Sequence, residues 1–185
     1  LRRSVMSEEK KITRPIWIVR DYLKCSGCRR CEIACSLSHE GKIWPEASRV
    51  RVFMLVPGVE VPHLCAQCRD YPCVEACPVK ALSVDYANTG AVLVDEAKCT
   101  SCGLCIEACP GKIPHLHPET SIALICDLCH GDPECARVCT EAKFNALYVV
   151  REGPGVMRRL FAQLPEEVTK DLAVNIYAEK GEELV

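Results

Sequence analysis

The chain has 185 residues, enough for one domain or for two small modules sharing a core. Only 5% of it is aromatic while sixteen residues are cysteine, which marks either a disulfide scaffold or a metal protein. The formal charge is −2 with neutral thiols, and no run of 18 apolar residues exists; the best candidate, residues 52–64, is broken by Pro57, Gly58 and Glu60, so direct membrane insertion is not expected.

Residues 1–11 are charged, weakly apolar and expected to be loose and flexible. Arg2-Arg3-Ser4 has the look of a twin-arginine export signal, but Glu8, Glu9, Lys10 and Lys11 follow where an apolar stretch is required. Without such a signal, and with many thiols, a reducing cytoplasm is the expected location. Residues 16–19 and 49–56 read as short strands. Residues 81–95 hold two β-prone runs about Asn88-Thr89-Gly90 and read as a hairpin, and residues 146–150 read as a further strand. Gly153-Pro154-Gly155 breaks the chain before a tail without cysteine. There Met157, Leu160, Phe161 and Leu164 fall at helical spacing before Pro165, and Val168, Leu172 and Ile176 continue the pattern. This predicts a helical extension that serves either as a clasp on the body or as a docking element.

The cysteines form four quartets: Cys25, Cys28, Cys31, Cys35; Cys65, Cys68, Cys73, Cys77; Cys99, Cys102, Cys105, Cys109; and Cys126, Cys129, Cys135, Cys139. Their gaps run x2-x2-x3, x2-x4-x3, x2-x2-x3 and x2-x5-x3, so the last gap is constant and the length varies only before the third cysteine. Disulfide chemistry gives no reason for such tight groups. A zinc ribbon uses two C-x2-C pairs per metal and leaves the third and fourth cysteines unexplained; a zinc-stapled interaction module is the alternative metal reading. A cubane needs four thiolates at the corners of a wide tetrahedron, and C-x2-C-x2-C supplies three by wrapping a tight loop. Each fourth cysteine is expected in a short helix, where a rise of about 1.5 Å per residue carries it roughly 6 Å along the axis, facing a neighbouring cluster. Cys99-Thr-Ser-Cys102-Gly-Leu-Cys105-Ile-Glu-Ala-Cys109-Pro110 fits the bacterial ferredoxin run at every ligand and at its proline. Sixteen cysteines thus point to four [4Fe–4S] clusters. Each would add about −2, bringing the loaded protein to roughly −10, which argues against nucleic acid as a partner.

The segment from Cys65 to Pro110 resembles a bacterial two-cluster ferredoxin, including Cys77-Pro78 and Cys109-Pro110. Residues 16–150 as a whole resemble the four-cluster subunits of molybdenum and tungsten oxidoreductases, among them partners of the dimethyl sulfoxide reductase superfamily. Cys35-Ser-Leu-Ser-His-Glu-Gly41, with Pro45 and Ser48-Arg-Val-Arg-Val52, is similar to the small subunits of tungsten aldehyde oxidoreductases and class II benzoyl-CoA reductases. That resemblance implies one ferredoxin-like module inserted in another: an outer module of residues 12–60 plus 111–150, an inner module of 61–110, and a tail of 151–185. It also implies the cluster sets Cys25, Cys28, Cys31, Cys139; Cys126, Cys129, Cys135, Cys35; Cys65, Cys68, Cys73, Cys109; and Cys99, Cys102, Cys105, Cys77. Cys35 and Cys139 depart from the pattern, being followed by Ser36 and Thr140 rather than proline.

The expected fold is α+β and loop-rich, with two interleaved dicluster modules, short hairpins, short helices and a C-terminal helical extension. The expected role is an electron-transfer subunit serving a large catalytic subunit, with tungsten or molybdenum, and a further electron donor or acceptor. A free-standing polyferredoxin is the alternative. No catalytic residue is assigned, since there is no P-loop, nucleophile elbow or C-x3-C-x2-C motif, and Gly153-Pro-Gly155-Val-Met-Arg158 lacks the third glycine of a dinucleotide fingerprint. Arg29, Arg30, Arg69 and Asp70 lie inside cluster loops and are candidates for tuning potentials. His63, His115, His117 and His130 flank ligand groups without being needed as ligands. His39 is expected as a hydrogen-bonding cap, and Trp17 and Trp44 as core or shielding residues.

Overall fold

The computed structural model describes residues 12–151 and 161–184. Residues 1–11, Gly153-Pro154-Gly155, Met157 and Leu160 lie outside the described residues. The order is β1 (Trp17–Arg20), α1 (Arg30–Glu40), β2 (Val50–Val56), β3 (Val59–Leu64), α2 (Pro72–Glu75), β4 (Leu82–Val84), β5 (Val92–Val94), α3 (Leu104–Ala108), β6 (His115–Leu116), β7 (Ala123–Leu124), α4 (Glu134–Glu141), β8 (Leu147–Val150) and α5 (Pro165–Tyr177). The fold is therefore α+β, built from short hairpins and short helices with a distinct C-terminal helix.

The strands form four two-stranded antiparallel sheets: β1 with β8, β2 with β3, β4 with β5, and β6 with β7. In the first, Trp17 faces Val150 and Arg20 faces Leu147, so residues far apart in sequence close one end of the fold. The β4–β5 hairpin is shorter than residues 81–95, because the loop closes early: Asp85 accepts the Gly90 N–H and donates its own N–H to Ala91 O, each at 2.9 Å. Residues 57–60 do not merely interrupt an apolar stretch. Pro57 and Gly58 (φ 78°) form the turn, and β3 returns to pair with β2 from Val56↔Val59 to Val50↔Leu64. Pro62 fits within β3 because a two-stranded sheet consists of edge strands, where a missing donor is tolerated.

Cysteine fills much of the interior. One buried group joins Ile16, Ile18, Val50, Val52, Leu64, Leu128 and Leu147 to Cys31, Cys35, Cys126 and Cys135. A second joins Tyr71, Leu82, Val92, Ala123 and Ile125 to Cys73 and Cys105. A third contains no cysteine: Val168 of α5 packs on Val56, Val59 and Val61 of the β2–β3 hairpin, with Phe53 and Leu172 at its margin.

The C-terminal helix thus packs on the body. Pro165 opens α5 at the first helical position, where no N–H is needed, and the Glu167 carboxylate accepts the Leu164 N–H at 3.0 Å. Phe161 and Leu164 precede the helix instead of extending it. Phe161 lies edge-on to Trp17, and its carbonyl accepts from Arg20 Nη1 at 2.8 Å. The Tyr177 hydroxyl donates to Pro57 O at 2.6 Å and pins the helix end to the hairpin turn, whereas Ile176 is exposed despite its spacing.

Candidate metal centres

The four cysteine loops share one backbone plan. The residue before the second cysteine is left-handed in all of them: Gly27 (φ 67°), Gln67 (52°), Ser101 (59°) and Leu128 (59°). Alternating right- and left-handed residues turns successive N–H groups toward a common concavity that receives anionic groups, iron–sulfur clusters included. A non-glycine residue there costs about 1–3 kcal/mol, so the surroundings must impose the conformation. Only Gly27 signals it in the sequence.

The third cysteine always occupies the second helical position: Cys31 in α1, Cys73 in α2, Cys105 in α3 and Cys135 in α4. Extra loop length is absorbed just before that helix. In the x4 loop Tyr71 is left-handed (φ 41°), and in the x5 loop four residues in succession, Leu128 to Gly131, have positive φ. The fourth cysteines divide into two kinds. Cys35 and Cys139 lie inside helices, as expected. Cys77 and Cys109 lie beyond the ends of α2 and α3, Cys109 in extended conformation (φ −79°, ψ 121°). Pro78 and Pro110 account for the difference, because the residue before proline is driven out of helical conformation.

These elements bring the sixteen cysteines together around four cavities. Cys25, Cys28, Cys31 and Cys139 line the first, and Cys35, Cys126, Cys129 and Cys135 the second. Cys65, Cys68, Cys73 and Cys109 line the third, and Cys77, Cys99, Cys102 and Cys105 the fourth. In each, three cysteines come from one quartet and one from another. Three of the fourth-position sulfurs also accept a backbone N–H: Cys35 from Arg49 at 3.3 Å, Cys77 from Ala81 at 3.2 Å and Cys139 from Leu147 at 3.3 Å. All sixteen thiols are free, and a sulfur-rich donor set with amide donors on its sulfurs suits soft metals and iron–sulfur clusters.

Burial raises eight of these thiols, Cys25 and Cys105 among them. It pushes Cys31, Cys65 and Cys73 up to about 12 and Cys129 to about 11, and it raises Cys126 and Cys135 well above the ordinary thiol value. Loading such a site with metal must therefore expel protons. Cys35 is the exception: burial pushes it up, but hydrogen bonds from His39, the Arg49 N–H and Ser48 bring it below the usual value.

His39 is more than a cap. Its Nδ1 lies 2.8 Å from Cys35 O and 3.8 Å from Cys35 Sγ, while Nε2 lies 3.1 Å from Asp127 Oδ1. The Asp127 carboxylate and Cys35 lift His39 to about 10. Burial opposes ionisation of Asp127, yet His39 and the Cys129 N–H draw it down to about 2. His39, Asp127 and Cys129 stand close together at the edge of the second cavity. His63 is buried and His115 half-buried, and loss of solvent, helped by Arg51, lowers both to about 4. Arg29 and Arg30 line the first cavity, whereas Arg69 and Asp70 line none of the four. Trp17 is buried, and Trp44 is half-buried against His117. Sequence reasoning missed Glu32, which is buried beside Cys31 and accepts the Val52 N–H at 2.6 Å.

Residues 57–149, half of the chain, match the family model described as a 4Fe-4S dicluster domain. The chain belongs to the 4Fe-4S dicluster family. A Pyrococcus furiosus relative named "Aliphatic sulfonate oxidoreductase, polyferredoxin-like subunit" is 53% identical over 174 residues, covering 94% of this chain and 99% of that protein. The Salmonella typhi "Thiosulfate reductase electron transfer subunit PhsB" is 32% identical over 155 residues, 74% of this chain and 78% of that one. The solved BamBC active-site complex of benzoyl-CoA reductase with benzoyl-CoA includes a chain 24% identical to this one, with TM-score 0.44 and coverage of 91% and 95%. This dicluster protein is a ferredoxin-like iron–sulfur electron-transfer subunit, not the catalytic component. No helix among its described residues is long and apolar enough to cross a membrane.

Proposed function

We propose that each cavity holds one [4Fe–4S] cluster on its four thiolates. The chain then relays single electrons between a large catalytic oxidoreductase subunit and a further donor or acceptor. The observation that supports this reading is one arrangement repeated four times, each cavity lined by three cysteines of one quartet and one of another. A bound cubane supplies a one-electron store whose potential follows its ligands, hydrogen bonds and burial. What the chain supplies is position, sulfur hydrogen bonds and an apolar wall, with Ile18, Val50, Leu64 and Leu128 around the second cavity.

The sites neighbour one another in the order first, second, third, fourth. Cys135 feels the charge of Cys31 from the first set, Cys126 that of Cys65 from the third, and Cys73 that of Cys105 from the fourth. Gln67 Nε2 reinforces the middle junction by donating to Cys126 O at 3.2 Å. The second cysteine is exposed only at the two ends, as Cys28 and Cys102, which makes those ends the points of electron entry and exit. We read residues 12–60 plus 111–150 as the outer module and 61–110 as the inner one. The 53% identical relative is named for a sulfonate oxidoreductase and PhsB for a thiosulfate reductase. Accordingly, the catalytic partner proposed here is a tungsten or molybdenum subunit, working with this chain in a reducing compartment.

Coulometric reduction of the anaerobically purified native complex tests this. The expected uptake is about four electrons per copy of this chain beyond those taken up by the catalytic subunit's own centres, in a particle that also contains tungsten or molybdenum. A lone species near 20.5 kDa would instead favour a free carrier, and no electron uptake would end the relay reading.

A further inference from the structure

We propose that the Cys28 end of the chain is the docking face for an acidic one-electron carrier protein. The inference rests on the relay reading and adds to it which end meets a mobile partner, and of what charge.

The two exposed ends are built differently. At the Cys102 end the flanking residues are Thr100, Ser101, Gly103 and Leu104, and no charged residue lines the fourth cavity. At the Cys28 end, Arg29 and Arg30 follow the exposed cysteine directly and line the first cavity together with Phe144. Lys143 next to Phe144 is exposed, as are the apolar Leu23 (74%) and Phe144 (37%). An apolar centre with a charged rim is the ordinary anatomy of a protein interface. Three acids of this region are paired or buried. Asp21 pairs with Lys24 at 2.7 Å, Glu141 with Arg137 at 2.6 Å, and Glu32 is buried. The half-buried Glu60 carboxylate lies against Gly27, where a Cβ would meet it at 2.5 Å. Arg30 and Lys143 face outward, and Arg29 stays half exposed while its Nη1 pairs with Glu32 at 3.3 Å.

The remainder of the loaded protein gives this rim its meaning. At roughly −10 overall, the protein repels an acidic carrier on most approaches. A basic rim at one exposed ligand turns that repulsion into orientation, bringing the carrier's redox centre to Cys28. Such rim charges act chiefly on association rate and its salt dependence.

The test is stopped-flow reduction of the native complex by a reduced acidic two-cluster ferredoxin at a series of ionic strengths. For the unaltered protein the second-order rate should fall as salt rises. Arg29→Gln/Arg30→Gln should lower the low-salt rate roughly tenfold and flatten its salt dependence. Arg30→Gln/Lys143→Gln, which leaves the Arg29–Glu32 pair in place, should move the rate in the same direction. Lys170→Gln/Lys180→Gln, removing two exposed charges from the C-terminal region, should change neither quantity. Iron content and the extent of chemical reduction are measured on every variant, so failure of the relay reading shows there and not in the rates. Intact clusters with an unchanged rate and salt slope in both rim variants would overturn the proposal. So would an equal loss in the Lys170/Lys180 variant, or faster reduction by a basic carrier.

Discussion

Cys109→Ala is expected to destroy the site formed with Cys65, Cys68 and Cys73 and to spare the site that follows its own quartet. Cys109 shares the third cavity with those three residues. The charge felt by the Cys73 thiol comes from Cys109 before any other neighbour. Cys109 also packs with Ala66, Ile113 and Ala162 in a buried group bordered by Cys65 and Cys68. Cys99, Cys102 and Cys105 keep their fourth partner, Cys77, whose sulfur is oriented by the Ala81 N–H. Iron should therefore fall from about sixteen to about twelve atoms per chain, with one cluster signal lost from the reduced spectrum. Cys77→Ala should give the same count and remove a different signal. Loss of the Cys99, Cys102 and Cys105 cluster in Cys109→Ala, and of the Cys65, Cys68 and Cys73 cluster in Cys77→Ala, would mean that each quartet serves its own cluster.

Removing the iron should have the other large effect: the cooperative fold should be lost. The regular structure is too slight to stand alone, with four two-stranded sheets and helices α2 and α3 of four and five residues. Isolated hairpins and helices of that length are marginal in water. The principal buried groups are also centred on cysteine sulfur. After oxidation and chelation, thermal unfolding followed by circular dichroism should show no sharp transition. A metal-free chain that melts cooperatively within a few degrees of the loaded one would contradict this.

The cysteine quartets were legible in the sequence because their spacing is local. Four quartets with a constant last gap need no knowledge of the fold, and Cys109-Pro110 carries its ferredoxin character within two residues. The assembly of sets across quartets is not local, and only the resemblance to a nested pair of modules gave it. Strand β3 was hidden because Pro57 and Gly58, set in a valine-rich stretch, look like an interruption when they are a turn. Strands β6 and β7, at two residues each, are too short for any periodicity. Left-handed Gln67, Ser101 and Leu128 carry no turn signature, since the loop imposes their conformation. The His39–Asp127 contact joins residues 88 apart, beyond the reach of local pattern. The displacement of Cys77 and Cys109 from their helices, by contrast, was readable from the prolines that follow them.

Mössbauer spectroscopy of ⁵⁷Fe-enriched protein, purified and kept without oxygen, bears most directly on the four cages. The spectrum should place all iron in the delocalised mixed-valence pairs of oxidised [4Fe–4S] clusters, at about sixteen atoms per chain. Iron confined to mononuclear sites, or a colourless chain holding zinc in its place, would contradict the account.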